Sequence, residues 1–106
     1  MTSFQVEYRP AARRDLFQIH EYLNGEVSLE LADRFLMDLA HTIRQIGGFP
    51  YAGSLFPARR IPTLEIRRWP VKEFPRYIVY YAVSTRKVAL LRILHSARDV
   101  SRQSGL

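Results

Sequence analysis

The sequence predicts an α+β domain in which a helical hairpin packs on a small, strongly twisted antiparallel sheet. Two long stripes of apolar residues at helical spacing lie in the first half of the chain, separated by a short polar link. Two apolar runs in the last third, RYIVYYAV and VALLRILH, are joined by a polar turn, which is typical of paired strands. Packing the hairpin on the sheet buries both apolar surfaces. The predicted order is β-α-α-β-β-β.

The first half contains a short strand and the two helices. Residues 4–8 alternate apolar and polar side chains, which predicts a strand. Pro10 suits the first turn of a helix, and the apolar residues of 11–23 form one stripe. Ser28 is a suitable cap for the second helix, and the glycine pair that begins at Gly47 is expected to end it. Helices joined by so short a link form an antiparallel hairpin.

The second half contains the remaining strands. Prolines and glycine predict a loop over residues 49–62. Residues 64–67 alternate cleanly, which predicts a strand with one wet face. Residues 76–83 are apolar on both faces and predict a central strand, and residues 88–94 predict its partner. The face of the sheet that points away from the helices is expected to carry Glu65, Arg67 and the neighbours of Arg98.

Length and composition bound the class of protein. A chain of 106 residues, 47% apolar and 25% charged, predicts a single folded domain over residues 1–106. The absence of cysteine excludes disulfides and thiolate chemistry. The first residues lack the apolar core of a signal peptide, and no apolar stretch approaches the roughly 18 residues that span a bilayer. The expectation is a cytoplasmic protein with no membrane partner.

The charge balance points to an anionic partner. Lysine and arginine total 16 against 10 acidic residues, a net charge of +6, and Lys72 and Lys87 are the only lysines. Arginine presents a planar fork that matches phosphates and carboxylates. A nucleic acid and an acidic protein segment both suit this surface, and a basic surface without any polyanion partner remains a third interpretation.

Motifs for metal, nucleotide and nucleophilic chemistry are absent from the sequence. The three histidines, His20, His41 and His95, are scattered and lack the spacing of metal ligands. No phosphate-binding glycine loop and no nucleophile elbow occur. We therefore expect neither a metal nor a cofactor.

One set of polar side chains remains as a candidate site, with Glu65 and Asp99 nearby: Arg67, Arg76, Arg92, His95 and Arg98. Such a set suits metal-independent RNA cleavage, in which a general acid and base act beside arginines that stabilise phosphorane charge. It equally suits a binding face for an acidic protein segment. A purely structural role, with the arginines in ion pairs and His95 closing a strand end, remains open. The tyrosines of the central strand, Tyr77, Tyr80 and Tyr81, are interpreted as packing residues.

The chain resembles the ParE branch of the RelE/ParE toxin superfamily, the toxins of bacterial type II toxin–antitoxin modules. The segments that carry the resemblance, in this order and spacing, are PAARRDLFQIHEYL, ADRFLMDLAHTIRQI, FPYAGSLFP, LEIRRWPV, FPRYIVYYAV and LRILHSARD. The resemblance implies the same fold as the periodicities. It also implies one of two activities, since the RelE branch cleaves mRNA in the ribosomal A site, whereas characterised ParE toxins inhibit DNA gyrase and lack the nuclease residues.

The RelE site matches this chain poorly. Its basic pair would fall on Glu65 and Arg67, of which only the second is basic. Its next arginine would fall on Tyr77, with Arg76 one place early and therefore on the other face of the strand. Its arginine after the last strand falls on Arg98, which matches.

The resemblance therefore implies a non-nucleolytic, growth-inhibiting toxin that acts on gyrase and is neutralised in a hetero-oligomer with a cognate antitoxin. An acidic C-terminal antitoxin segment would wrap the toxin. The residues expected to bind the antitoxin or target are Arg67, Arg76, Tyr77, Arg92, His95 and Arg98. Two alternatives stay open: a ribosome-dependent endoribonuclease with Glu65, Arg67, His95 and Arg98 as catalytic residues, and a degenerate toxin that retains only antitoxin binding.

Overall fold

The computed structural model describes residues 3–56 and 65–98, and the predicted α+β class and element order are confirmed. One strand is added to the predicted order, in a segment expected to be a loop. The elements are β1 (Gln5–Tyr8), α1 (Pro10–Glu26), α2 (Leu29–Gly48), a 3₁₀ turn (Pro50–Ala52), β2 (Ser54–Phe56), β3 (Ile66–Val71), β4 (Phe74–Ser84) and β5 (Lys87–His95).

The helical hairpin forms as the apolar stripes predict. Helix α1 starts with Pro10 at its first helical position, and α2 is capped by Ser28, whose Oγ accepts a hydrogen bond of 3.0 Å from the Leu31 amide. The two helices also meet through polar side chains, because His20 Nε2 lies 2.9 Å from Asp33 Oδ1. Among the described residues, no helix is long and apolar enough to cross a membrane.

The sheet is mixed, which differs from the fully antiparallel sheet expected from the sequence. Its strand order is β1-β5-β4-β3-β2, and β1 pairs parallel with β5 in the register Gln5↔Lys87 to Tyr8↔Leu90. The other three pairings are antiparallel. Alternation along residues 4–8 identifies a strand but carries no information about its neighbour or direction. The long connection that a parallel pairing requires consists of the helical hairpin together with strands β2 to β4.

The boundaries of β3 and β4 also differ from the prediction. Strand β3, expected over residues 64–67, continues to Val71 through Pro70, and β4, expected from residue 76, begins at Phe74, so that only two residues separate the strands. Proline is tolerated at this position because β2 pairs only with the first half of β3, which leaves Pro70 at the outer edge of the sheet.

The apolar core lies between the hairpin and one face of the sheet. Fully buried residues from both sides meet there, including Phe35 and Leu39 of α2 and Val79 and Tyr81 of β4. A second, smaller cluster lies on the opposite face of the sheet and is centred on Ile66, Tyr80 and Leu94. The interpretation of Tyr77, Tyr80 and Tyr81 as packing residues agrees with their exposure, which is 7% or less in each case.

Candidate functional site: an arginine–tyrosine cluster beside the first helix

Three of the predicted site residues meet where β4 begins and β5 ends. Tyr77 and His95 are directly opposed in the register of the two strands, and their rings make an edge-to-face contact with centroids 5.1 Å apart. Arg98 donates from Nη2 to the Tyr77 hydroxyl at 3.2 Å, and its guanidinium carbon lies 4.7 Å from the centre of the Tyr22 ring. Tyr22 belongs to α1, so the cluster joins the end of the sheet to the first helix.

His95 closes the turn that follows β5. Its Nδ1 atom is 3.2 Å from the Ala97 amide and 3.3 Å from the Arg98 amide, and both amides donate to it. An accepting Nδ1 places the proton of a neutral imidazole on Nε2. The His95 side chain therefore accepts hydrogen bonds from two backbone amides just after the end of β5. These bonds orient the backbone that carries Arg98.

Arg92 is held by a carboxylate of the first helix. Asp15 Oδ2 accepts from Arg92 Nε at 2.8 Å, and Oδ1 accepts from Nη2 at 2.9 Å. The same Oδ2 accepts from the Ile93 amide at 2.9 Å. Strand β1 pairs with β5 only as far as Leu90, so Asp15 takes the place of a neighbouring strand beyond that point. This contact is structural: it fixes α1 against the open part of β5.

A groove runs between α1 and the end of β5. Asp15, Ile19 and Tyr22 line it from the helix, and Ile93 and Arg98 line it from the sheet side, around a volume of about 200 Å³. Asp15 is committed to Arg92 and the Ile93 amide, so it does not neutralise Arg98. The groove thus combines polar and apolar side chains with one cation that has no acidic partner among the described residues, and a carboxylate on an adjoining protein segment would suit it.

The comparisons with known proteins agree with this architecture. A family model, described as the ParE toxin of the type II toxin–antitoxin system parDE, matches residues 6–100. The chain belongs to the ParE toxin family. A solved structure described as the chromosomal ParDE TA system from P. aeruginosa is similar in fold, with a TM-score of 0.71 and 16% identity over 88% of this chain and 96% of that chain. No curated protein matches the chain.

Membership of the ParE toxin family implies an antitoxin partner. A candidate residue can contact such a partner only if its side chain is exposed and is not already held by other groups of the toxin. Arg67 is largely occupied: Nη1 donates to the carbonyls of Tyr51 at 3.1 Å and Gly53 at 2.8 Å, and Nη2 donates to Glu65 at 3.3 Å. Its side chain is only 16% exposed. Its contacts hold the segment after α2 against the sheet.

In this ParE toxin Arg67 does not lie on the face predicted for it. Arg67 is paired in register with Tyr81, whose ring lies in the core beneath the helices, so both side chains are on the helix-facing side. The expectation that Arg67 lies on the opposite face is therefore wrong. The apolar Ile66 is buried in the smaller cluster on the far face instead of beneath the helices, and the neighbouring Arg68, which lies over the Phe56 ring, is the arginine on that face.

The two remaining candidates, the basic Arg76 and the acidic Asp99, are not part of the described cluster. Arg76 is exposed, makes no side-chain hydrogen bond or ion pair within residues 3–56 and 65–98, and precedes Tyr77, so its side chain points to the opposite face of β4. Its carbonyl accepts from the Ser96 amide at 2.7 Å. Asp99 lies outside the described residues.

The candidate catalytic set of the alternative nuclease is spread over this ParE toxin fold. Arg67 is opposite Tyr81 and His95 is opposite Tyr77, on the two strands that flank β4. Four residues along a strand and two strand spacings across the sheet separate them by roughly 17 Å. Glu65 precedes Arg67 by two residues and therefore lies still farther from His95. Within the described ranges, no three metal-ligating side chains form a group.

Two contributors to the site were missed at the level of sequence. Asp15 falls within the apolar stripe of α1 and is 7% exposed, so a charged residue at a core position was the available signal. Tyr22 carried no comparable signal, because its role depends on the position of Arg98 across the groove.

Proposed function

We propose that this member of the ParE family is a protein-binding toxin that inhibits DNA gyrase and is neutralised by a cognate antitoxin. The observation that supports it is the state of the arginines near β5. Arg92 is bound to Asp15, whereas Arg98 faces the groove beside α1 without an acidic partner among the described residues. An arginine without an acidic partner, in a groove that also offers the Tyr22 ring and isoleucine side chains, favours recognition of a protein carboxylate.

The geometry gives less support to RNA cleavage. General acid–base catalysis needs both groups within hydrogen-bond reach of one phosphodiester. His95 and Arg67 lie roughly 17 Å apart by strand geometry. The guanidinium of Arg67 is engaged with two carbonyls and Glu65, and Nδ1 of His95 accepts two amides. Neither side chain is arranged to move a proton on a shared substrate.

For the antitoxin we propose an acidic, amphipathic segment that folds onto the toxin as it binds. The net charge of +6 favours an acidic partner, and the groove beside α1 offers Arg98 and the 47% exposed ring of Tyr22. A segment that is disordered when free can cover an extended surface of this kind. The toxin–antitoxin complex is then a hetero-oligomer in the cytoplasm.

The test is induction of this chain alone in a bacterial host, with mRNA integrity and plasmid supercoiling followed over the first minutes. The proposal expects intact mRNA together with altered supercoiling or gyrase–DNA cleavage complexes. It also expects inhibition of purified gyrase that is reversed by adding the antitoxin encoded beside the toxin gene. Early mRNA cleavage with normal supercoiling would establish the nuclease alternative, and no effect on growth would establish the degenerate one.

Residue variants sharpen this test. Arg98→Ala removes the groove cation and should weaken both growth inhibition and gyrase inhibition about tenfold or more. The matched control is Arg34→Ala, which removes the same charge from an exposed position on α2. Equal toxicity of a folded Arg98→Ala variant would remove Arg98 from the target-binding surface.

A further inference from the structure

A second pocket lies at the start of α1, on a different side of the helix from the groove. The residues that line it are Tyr8, Pro10, Arg13, Arg14 and Phe17, around a volume of about 390 Å³. The four lining residues that belong to α1 are three, one and three positions apart in sequence, so their side chains share one face of the helix. The volume falls in the range of about 300–1,000 Å³ that is usual for ligand-binding pockets.

The lining of this pocket combines one exposed ring, Phe17, and one half-buried ring, Tyr8, with cations. Phe17 is 65% exposed although it is a large apolar side chain on a regular helix. The guanidinium carbon of Arg13 lies 5.3 Å from the centre of the Tyr8 ring. Burial raises the pKa of Tyr8, and the charge of Arg13 acts in the opposite direction. The Tyr8 hydroxyl makes no hydrogen bond to the described residues, so it is available to a ligand as a donor.

The charges around the pocket are not neutralised. Arg9, Arg13 and Arg14 lie in the N-terminal turns of α1, and no acidic side chain of the described residues makes an ion pair with them. The positive end of a helix dipole disfavours cations. The helix also has no side-chain cap and no acidic residue in its first turn, whereas α2 has both Ser28 and Glu30. The electrostatic energy at the start of α1 is therefore unfavourable, because several arginines lie at the positive end of the helix dipole. An anion bound there would reduce this repulsion.

We propose that this pocket binds an acidic segment of a partner protein that inserts one apolar side chain between the rings of Tyr8 and Phe17. Carboxylates on either side of the inserted residue pair with Arg13 and Arg14, and a third reaches the Tyr8 hydroxyl. Two rings and two arginines around one small pocket match the residue types that dominate binding energy at protein interfaces. The apolar end of the pocket, formed by Pro10 and Phe17, has no hydrogen-bonding group for the edge of a nucleobase, which favours a protein over a nucleic acid.

The pocket and the groove are independent surfaces. The groove residues Asp15, Gln18, Ile19 and Tyr22 occupy one side of α1, and the pocket residues occupy another. A segment seated in the pocket leaves Arg98 accessible. The inference therefore does not rest on gyrase or on the antitoxin, and it adds a second recognition site to the domain.

The experiment is an NMR titration of the full ¹⁵N-labelled chain with a seven-residue acidic peptide that has one central phenylalanine. Two control peptides replace the phenylalanine by alanine, or all acidic residues by their amides. The expected result is a saturable shift of amides in residues 8–17, with binding about tenfold weaker for each control peptide. A single-stranded oligonucleotide of similar charge is the competing probe.

Variants tie the binding to the pocket. Phe17→Ala and Arg14→Ala should each weaken peptide binding about tenfold. Leu29→Ala and Arg34→Ala, which remove an exposed apolar side chain and an exposed arginine from α2, should not change it. Absence of shifts up to about 1 mM peptide, shifts centred outside residues 8–17, or tighter binding of the oligonucleotide at the same residues would each overturn the proposal.

Discussion

Asp15 and Arg92 form a two-pronged ion pair that connects the first helix to the last strand, 77 residues apart in sequence. The carboxylate also accepts the Ile93 amide, so one side chain satisfies both a guanidinium and an unpaired strand edge. Asp15 is nearly buried, with its side chain 8% exposed, while that of Arg92 is 25% exposed. The pair stabilises the position of α1 and thereby shapes the groove that Arg98 faces.

Replacing Asp15 should destabilise the domain severely. Asp15→Ala removes the carboxylate that accepts from Arg92 and from the Ile93 amide, and loss of one partner of a buried pair costs about 3–5 kcal/mol. The lower part of this range is expected because Arg92 is a quarter exposed. Urea unfolding measures the effect. Asp33→Ala, which removes the more exposed pair with His20, is the control and should cost less than about 1 kcal/mol. Equal costs for the two variants would contradict a structural role specific to Asp15.

Adding one methyl group at Gly53 should also destabilise the fold. A Cβ built there would collide with the Tyr81 hydroxyl and lie 3.0 Å from the Arg68 carbonyl oxygen. Gly53→Ala should therefore cost about 1–3 kcal/mol. Gly25→Ala is the matched control, because a Cβ there meets nothing within 4 Å and the residue is helical. Alanine should stabilise that position by about 0.5–1 kcal/mol. Thermal melting should move in opposite directions for the two variants.

Stability should fall in alkaline solution through buried tyrosines. Burial raises the pKa of Tyr81 above 10.0, and a backbone hydrogen bond and Arg67 act weakly against that shift. Burial raises the pKa of Tyr80 in the same way. The folded state then retains protons that the unfolded chain releases, so the stabilisation is complete below pH 10.0 and decreases as the pH rises above it.

The measurement is the free energy of unfolding in urea from pH 8 to pH 11. Tyr81→Phe should make the alkaline decline shallower. The same variant should cost about 1 kcal/mol at neutral pH, because the Tyr81 hydroxyl donates to the Pro50 carbonyl at 2.8 Å. An alkaline slope that is identical in wild type and Tyr81→Phe would exclude Tyr81 as a source of the decline.

A charge in the middle of α2 tests how the hairpin packs on the sheet. Leu39 is 1% exposed in the main core, and Leu39→Asp should cost more than about 4 kcal/mol, which is enough to unfold a marginally stable domain. Met37, two residues earlier, is 72% exposed, so Met37→Asp should change stability by less than about 0.5 kcal/mol. Far-ultraviolet circular dichroism distinguishes the two. A folded Leu39→Asp variant with normal melting would show that this face of α2 is not buried.

The helices could be predicted closely because their apolar residues recur at one period and their ends carry recognisable signals, as at Pro10 and Ser28. The pairing partners of the strands could not be predicted in this way. The alternation of residues 4–8 is equally compatible with a parallel or an antiparallel neighbour, and β2 is a three-residue strand between proline and glycine signals that favour a loop. Both features depend on contacts between distant segments, which local periodicity does not encode.

The candidate site shows the same division. The sequence singled out Tyr77, His95 and Arg98, which do meet in space. It placed Arg67 on the wrong face because the alternation of residues 64–67 separates Ile66 from Arg67 but does not show which of the two faces the helices, and Ile66 is buried in the smaller cluster on the far face. It missed the partnership of Asp15 with Arg92 because ion pairs between remote elements depend on helix placement.

The parallel pairing of β1 with β5 has a consequence for the order in which the chain can fold. Gln5 pairs with Lys87, so the first strand has no partner until the last one has been made. Contacts of such long sequence separation slow folding, because a large loop must close before they form. During synthesis the hairpin of α1 and α2 emerges well before its sheet is complete. The domain therefore gains its groove and its full core only after translation has passed β5.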